Sequence, residues 1–193
     1  MQVGFDVNRQ GSSPEKPLVI LVGVTGVGKT TVGKLLAAQC RMKFYDADDY
    51  HPLANVEKMR AGIPLQDDDR WPWLDRLNEL LRMAAQRGDG VVLACSALKQ
   101  NYRNRLIEGC RNVRFVLLHG DKALIQKRLA GRQGHYMNPQ LLDSQLATLE
   151  PPSDALIIDI GYAPEDVAGR IRRDLSVGQA RLDQGFYVED AKG

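Results

Sequence analysis

The stretch from Gly23 to Thr30 has the residue types and spacing of a phosphate-binding loop. It reads Gly-Val-Thr-Gly-Val-Gly-Lys-Thr and matches the pattern G-x-x-x-x-G-K-[ST] at every fixed position. In this pattern glycines let the backbone approach a phosphate, a lysine reaches the β- and γ-phosphates, and a hydroxyl group reaches Mg²⁺. The pattern therefore predicts a nucleotide site formed by Gly23, Thr25, Gly26, Val27, Gly28, Lys29, Thr30 and Thr31.

The flanking residues favour a strand before this loop and a helix after it. Leu18–Val22 is an uninterrupted apolar run, which is typical of a buried strand. The segment from Thr31 to Ala38 is typical of a helix. A strand, a glycine-rich loop and a helix N-terminus in this order direct backbone N–H groups at an anion. The alternative interpretation is a glycine-rich turn without a ligand.

Two acids follow the next predicted strand, Lys43–Asp46. Asp46 and Asp48 are spaced so that an extended chain would place both carboxylates on one side. Ligands of open α/β sheets bind outside the carboxyl ends of the strands. One carboxylate there can hold Mg²⁺, and the other can accept a proton from an attacking hydroxyl group. Alternatively, the two acids only cap the next helix.

A run of acids opens a long predicted helix. Asp67, Asp69 and Arg70 could line a polar pocket, and three consecutive acids exceed what a helix start requires. Their other interpretation is stabilisation of the helix N-terminus through the helix dipole.

Basic residues follow the apolar run Val91–Cys95, which we interpret as a buried strand. Lys99 and Arg103 stand where an anionic group could bind beyond the end of that strand. The alternative is a solvent-exposed helix face.

A second basic segment, at about 128–139, interrupts a helical pattern and carries Arg128, Arg132 and His135. Phosphoryl transfer needs positive charge on the transferred group and exclusion of water, and a closing lid supplies both. We therefore predict a mobile lid here, with a plain surface loop as the alternative.

The bulk composition is that of an ordinary globular protein. The chain has 193 residues, 44% of them hydrophobic and 26% charged, which suits one α/β domain. Its net charge of +2 argues against nucleic-acid and anionic-membrane partners. No apolar run approaches the roughly 20 residues of a membrane helix. The three cysteines have no metal-like spacing, so we expect reduced thiols in a cytoplasmic protein.

Alternating strands and helices predict an α/β fold, a five-stranded parallel sheet with helices on both faces. We expect a flexible lead-in over residues 1–16, a single domain over residues 17–175 that includes the lid, and a tail over residues 176–193. The last predicted helix runs from Pro164 to Leu175.

Several separate motifs resemble the gluconokinase family of small P-loop kinases. They are Asp46 to Pro52, Asn55 to Met59, Gly62 to Leu74, Cys95 to Lys99 with Tyr102 and Arg103, Arg132 to Tyr136, Leu141 to Gln145, and Leu149 to Pro151. The resemblance spans about Leu18 to Asp174. The chain departs from the family at Thr25, where serine is common, and at Tyr136, where phenylalanine is usual.

This resemblance implies a P-loop kinase fold with a lid, and phosphorylation of D-gluconate at its 6-hydroxyl group by ATP with Mg²⁺. It also suggests a homodimer. On this basis we assign catalysis to Lys29, Asp48, Arg128 and Arg132, and Mg²⁺ binding to Thr30 and Asp46. Gluconate binding is assigned to Asp48, His51, Asp67, Asp69, Arg70, Lys99, Arg103 and His135.

Three other functions are alternatives to this one. A shikimate-kinase-like enzyme would share the acids but is expected to have three glycines after the third strand, where this chain has Ser96-Ala97-Leu98. A GTPase switch needs an N-K-x-D motif, which the sequence lacks. A regulatory protein that binds ATP without turnover stays open, although the intact Lys29 and Asp48 argue against it.

Overall fold

The computed structural model describes residues 16–131 and 139–183. Its strands are β1 (Leu18–Val22), β2 (Lys43–Asp46), β3 (Val91–Ala94), β4 (Val113–His119) and β5 (Leu156–Asp159). Its α-helices are α1 (Lys29–Cys40), α2 (Leu53–Arg60), α3 (Asp67–Gln86), α4 (Gln100–Leu106), α5 (Lys122–Ala130), α6 (Pro139–Thr148) and α7 (Pro164–Asp183). A short 3-10 helix covers Ala47–Tyr50.

The sheet has the order β2-β3-β1-β4-β5, and every neighbouring pair of strands is parallel. This confirms the predicted five-stranded α/β fold. β1 lies in the centre, and only β3 separates it from β2. Because all the strands run the same way, the loop after β1 and the acids after β2 emerge at one edge of the sheet.

Helices cover both faces of the sheet, and each face has its own hydrophobic cluster. Val19 and Leu21 of β1 belong to a cluster that includes Leu36 of α1 and Ile171 of α7. The alternate residues of β1 pack with α3 and α4: Leu18, Ile20, Val22, Leu74, Leu77, Leu81 and Leu106. All of β1 is buried, as expected of a central parallel strand between two helical layers.

The phosphate-binding loop is packed under α5, and Gly26 makes this possible. Gly26 has a φ of +82°, and a Cβ there would lie 2.8 Å from Leu129 Cγ and 2.9 Å from Ile125 Cγ2. A larger residue would therefore be strained in its backbone and would push α5 away. Glycine at this position lets a helix that follows β4 support a loop that follows β1.

One predicted chain boundary differs in the structure, and several predicted segments lie outside the described residues. The last helix continues to Asp183 instead of ending at Leu175, so much of the predicted tail is helical. The N-terminal residues 1–15, the segment 132–138 and residues 184–193 lie outside the described residues, and with them Arg132, His135 and most of the predicted lid. None of the helices in the described ranges is both long and apolar enough to span a membrane.

Replacing Gly26 with alanine should destabilise the chain more than the same change at Gly62. Both have positive φ, +82° and +72°, so each alanine carries about 1–2 kcal/mol of backbone strain. At position 62 no described atom lies within 4 Å of the new Cβ. Overpacking should therefore add about 1–3 kcal/mol at position 26 alone, measured by urea unfolding. Equal losses at the two positions would contradict the close packing of α5 on the loop.

Candidate active site

The phosphate-binding loop joins β1 to α1, and its lysine is the first residue of that helix. The Lys29 ammonium group donates to the carbonyl oxygens of Gly23, at 2.8 Å, and Val24, at 3.0 Å. Gly28, the residue before α1, has a φ of +93°, and α1 has neither a side-chain cap nor an acid in its first turn. The N–H groups of that turn, together with the positive end of the helix, are suited to an anion.

Thr30, in the first turn of α1, and Asp46, the last residue of β2, lie side by side. The Thr30 hydroxyl group donates to Asp46 Oδ2 at 2.6 Å. A hydroxyl and a carboxylate are hard oxygen ligands, which Mg²⁺ prefers, and Mg²⁺ in kinases takes one or two protein oxygens together with substrate phosphates. The described residues contain no cluster of three or more His, Cys, Asp or Glu side chains suited to a metal. Because Thr30 and Asp46 offer two oxygen atoms only 2.6 Å apart, the pair fits the predicted Mg²⁺ position.

Asp46 also begins the turn that carries Asp48. Its Oδ1 accepts from the Asp48 backbone N–H at 3.2 Å and caps the 3-10 helix. The expected pleated alternation is therefore wrong, because β2 ends at Asp46 and Asp48 lies in the turn. The capping interpretation is confirmed for Asp46, and the same contact keeps the two acids close together.

The environment of Asp48 makes its carboxylate a stronger proton acceptor than an ordinary aspartate. Its side chain is open to solvent on one side but surrounded by the protein of the cleft, and this desolvation raises its pKa. The charge of Asp46 raises the pKa further, whereas the charge of Lys29 lowers it. The Lys29 charge therefore partly offsets the effect of burial and of Asp46 on the Asp48 carboxylate.

His51 lies at the side of this cleft with a fixed ring plane. Its imidazole stacks on the indole of Trp73, with centroids 4.3 Å apart and planes at 11°. Trp73 is itself buried and donates to the carbonyl oxygen of Ala47 at 2.7 Å. Burial, followed by the charge of Arg70, lowers the pKa of His51 to about 4, so the ring is neutral at physiological pH.

Asn55 decides which nitrogen of His51 carries the proton. The Asn55 amide nitrogen donates to the carbonyl oxygen of Asp69 at 2.7 Å, and it lies 3.3 Å from His51 Nδ1. An amide nitrogen is only a donor, so Nδ1 of the neutral ring accepts and Nε2 bears the hydrogen. Asn55 is only 4% exposed. This role of Asn55 was not predicted from the sequence, although Asn55 stands four residues after His51, one helical turn away.

A second charged group forms where α3 begins beside α4. Lys99 Nζ lies 3.0 and 3.3 Å from the two oxygens of Asp67, and the Tyr102 hydroxyl group donates to Asp67 Oδ1. The hydrogen bonds from Tyr102 and then Lys99 lower the pKa of Asp67 and keep it ionised. The Arg70 guanidinium group lies over the Tyr102 ring at 5.5 Å. The structure therefore brings three predicted residues together: Asp67, Arg70 and Lys99.

Asp69 has a different place from the one predicted. Its Oδ2 accepts from the Gln66 backbone N–H at 2.9 Å in a capping box, and its Oδ1 pairs with Lys58. The hydrogen bonds from Lys58 and then Gln66 lower the pKa of Asp69. Its carboxylate therefore holds the start of α3, and the assignment of Asp69 to the substrate stays a prediction.

The predicted substrate-binding position of Arg103 is wrong, because its side chain is fully buried at 0% exposure. Nη1 donates to the carbonyl oxygens of Ala97 and Leu98 at 3.0 and 2.9 Å, and Nη2 donates to Gln100 Oε1 at 2.7 Å. Ala97 has a φ of +32°, a strained backbone for a residue with a Cβ. In this arrangement Arg103 cannot contact a substrate carboxylate, and it holds the loop that presents Lys99.

Comparisons with known proteins show which family the chain resembles. The AAA domain family model matches residues 18–152, more than half of the chain. A probable gluconokinase from Xenopus tropicalis is 44% identical over 176 residues, covering 83% of this chain and 88% of the relative. The thermosensitive gluconokinase of Escherichia coli K12 is 41% identical, with 84% of this chain and 90% of that protein covered.

The chain belongs to the gluconokinase family. Its described fold also superposes on the crystal structure of a gluconokinase from Sinorhizobium meliloti 1021, with a TM-score of 0.74 and 37% identity. That match covers 91% of this chain and 98% of the other.

This gluconokinase-family chain has a cavity of about 260 Å³ beside the phosphate-binding loop. Its walls are Gly26, Val27, Gly28, Thr31, Val32, Arg128, Ile160, Tyr162, Pro164 and Val167. Arg128 Nη2 donates to the carbonyl oxygen of Ile160 at 2.7 Å, so its guanidinium group is held in the cavity wall. The sequence motifs had indicated nothing about the β5–α7 residues, because they carry no charge or recognisable spacing.

Arg103→Met should lower the free energy of unfolding by about 2–5 kcal/mol, because two buried carbonyl groups lose their partner. The matched control is Arg105→Met on the same helix. Arg105 is exposed and pairs with Asp75 and Glu108, so its loss should cost less than about 1 kcal/mol. Urea unfolding measures both. Unchanged stability of Arg103→Met together with a raised KM for the sugar acid would restore the ligand role predicted from the sequence.

His51 should stay neutral down to a pH well below the pKa of an ordinary histidine. Its pKa of about 4 means that the ring gains a proton only as the pH falls through that value. NMR titration of the His51 ring protons should show this midpoint, and the Nε2–H tautomer above it. A midpoint near 6.5 would contradict the buried, stacked position of the ring.

Proposed function

We propose that this chain transfers the terminal phosphoryl group of ATP, as its Mg²⁺ complex, to the 6-hydroxyl group of D-gluconate. The observation that carries the proposal is a hydrogen-bonded series at the carboxyl edge of the sheet: Thr30, the residue after Lys29, donates to Asp46, and Asp46 accepts from the Asp48 backbone. Relatives named gluconokinase, at more than 40% identity, support the choice of substrate over a shikimate-like compound.

ATP binds with its phosphates on the loop and its base in the adjacent cavity. The N–H groups at the start of α1 and the Lys29 ammonium group neutralise the phosphates. The cavity of about 260 Å³ presents the guanidinium group of Arg128 and the ring of Tyr162, which suit a flat aromatic base. In this proposal Arg128 contacts the nucleotide base, whereas the sequence had predicted a catalytic role at the transferred phosphoryl group.

Gluconate is a polyol with one carboxylate, and the cleft offers groups for both. Neutral His51 can donate from Nε2 to a hydroxyl group, and Asp48 accepts from the reacting one. Lys99 and Arg70 supply positive charge for the carboxylate, and Arg70 is suited to planar recognition of it. Asp67 contributes by holding Lys99 in place.

The phosphoryl-transfer step needs positioning and charge stabilisation more than covalent chemistry. Asp48 orients the 6-hydroxyl group toward the terminal phosphorus and accepts its proton as the bond to the leaving oxygen breaks. Lys29 stabilises the negative charge that develops on the phosphoryl oxygens. Asp46 and Thr30 would hold Mg²⁺, which would supply positive charge to the phosphates of the nucleotide.

The roles of Arg132 and His135, and the homodimer that the resemblance suggests, stay predictions. The same is true of a cytoplasmic location.

A coupled assay of ADP release tests the proposal. We expect release with gluconate and little with shikimate or glycerate. Asp48→Asn should lower kcat by about 10²-fold or more while ATP affinity stays close to wild type, because the lost group acts on the hydroxyl and not on the nucleotide.

The dependence of activity on pH provides a second test of the role of Asp48. Asp48 must be deprotonated to accept a proton, and its pKa is raised. Activity should therefore fall as the pH drops through a midpoint above the ordinary aspartate value of about 4. No gluconate-dependent ADP release would defeat the proposed function, and a near-normal kcat for Asp48→Asn would remove Asp48 from the step.

A further inference from the structure

The peptide group between Val24 and Thr25 in the phosphate-binding loop is held from two sides. Its carbonyl oxygen, on Val24, accepts from Lys29 Nζ at 3.0 Å. Its N–H group, on Thr25, donates to Gln145 Oε1 at 2.7 Å. The peptide is trans, so its C=O and N–H point in opposite directions. Lys29 and Gln145 therefore form hydrogen bonds to opposite sides of one peptide group.

Gln145 comes from a distant part of the chain, 120 residues after Thr25. It lies on α6, whose Leu142 is buried in the same hydrophobic cluster as Val24 and Val27. Packing thus fixes the distance between α6 and the loop, and Gln145 makes its hydrogen bond from a rigid support.

The end of α6 is anchored as well. The Glu150 backbone N–H donates to the carbonyl oxygen of Leu98 at 2.9 Å, and Glu150 Oε2 accepts from the Gln100 backbone N–H at 2.6 Å. These contacts tie the residue just beyond α6 to the loop that presents Lys99. Rotation of α6 away from the phosphate-binding loop would break them.

We propose that Gln145 is a positioning residue for Lys29. By holding the Thr25 N–H, it fixes the plane of the peptide whose carbonyl oxygen receives the Lys29 ammonium group. The inference rests on the proposed nucleotide site, and it assigns to Gln145 a role that acts through the lysine.

The backbone on either side makes such a hold necessary. Gly23 and Gly26 flank the peptide, with φ values of +141° and +82°. Glycines constrain the backbone least, so the two-residue segment Val24-Thr25 between them can shift as a unit more readily than one flanked by larger residues. Without Gln145, the Val24 carbonyl would turn away in part of the population. Lys29 would then lose an acceptor and point less often at the phosphates, which weakens pre-organised binding.

Gln145→Leu tests the proposal, because leucine cannot accept the Thr25 N–H. ATP affinity, measured by titration calorimetry, should fall about 10-fold. The matched control is Gln126→Leu, the same change at an exposed position of α5, which should change ATP affinity less than about twofold. Thermal unfolding of Gln145→Leu should stay within about 4 °C of wild type, as expected for one lost hydrogen bond.

A double-mutant cycle separates positioning of Lys29 from a general support of the loop. In the Lys29→Ala background, Gln145→Leu should weaken ATP binding less than about twofold, because the group it positions is gone. The same 10-fold loss in both backgrounds would overturn the inference in favour of a role independent of Lys29. No loss in the wild-type background would remove Gln145 from the site.

This test does not depend on the sugar acid. A wild-type chain that binds ATP without phosphorylating gluconate would defeat the proposed function, and the cycle would still decide the role of Gln145. Failure of the wild-type chain to bind ATP would overturn both.

Discussion

The Lys29 ammonium group rests on the carbonyl oxygens at the end of β1, and this places a fixed positive charge at the centre of the sheet edge. The carboxylates of Asp46 and Asp48 lie close together in a partly desolvated cleft, which would be unfavourable without a nearby cation. Lys29 lowers that cost for Asp48. The same charge that is proposed to hold phosphates therefore also allows the acids to stand where a hydroxyl group can reach them.

The parallel sheet imposes a second constraint, because every loop at this edge must be held by groups from outside its own strand. α5 packs against Gly26, Gln145 bonds to Thr25, and Arg103 satisfies the carbonyl groups of the loop after β3. Charged and amide side chains perform most of this work because buried backbone groups need partners. Charged and amide side chains around this cleft therefore have two roles. Some are assigned to ligands, and others hold the backbone of the loops.

α6 connects the two halves of the cleft. Gln145 contacts the loop that belongs to the nucleotide side, and Glu150, just past the helix, contacts the loop that carries Lys99 on the sugar-acid side. A short, well-packed helix keeps these two contacts at a constant separation. Such an arrangement favours a defined spacing between the lysine of the phosphate-binding loop and the cations assigned to the carboxylate.

The sequence by itself determined the features that depend on neighbouring residues. The phosphate-binding loop, the parallel α/β fold and the family followed from local motifs and from apolar runs, because strand, loop and helix signals act over a few residues. The sequence also indicated capping as one possible role of Asp46, because a helix cap depends only on neighbouring residues.

Tertiary structure alone decided which charged residues face the cleft. Arg103 and Lys99 are four residues apart, yet one is buried on backbone carbonyl groups and the other reaches Asp67. The neutral state of His51 depends on its burial and on the charge of Arg70, and the contact of Gln145 with Thr25 joins segments 120 residues apart. Residue type and spacing state what a side chain can bind, but burial and competing partners decide what it does bind. Both of these arise only when distant segments pack together.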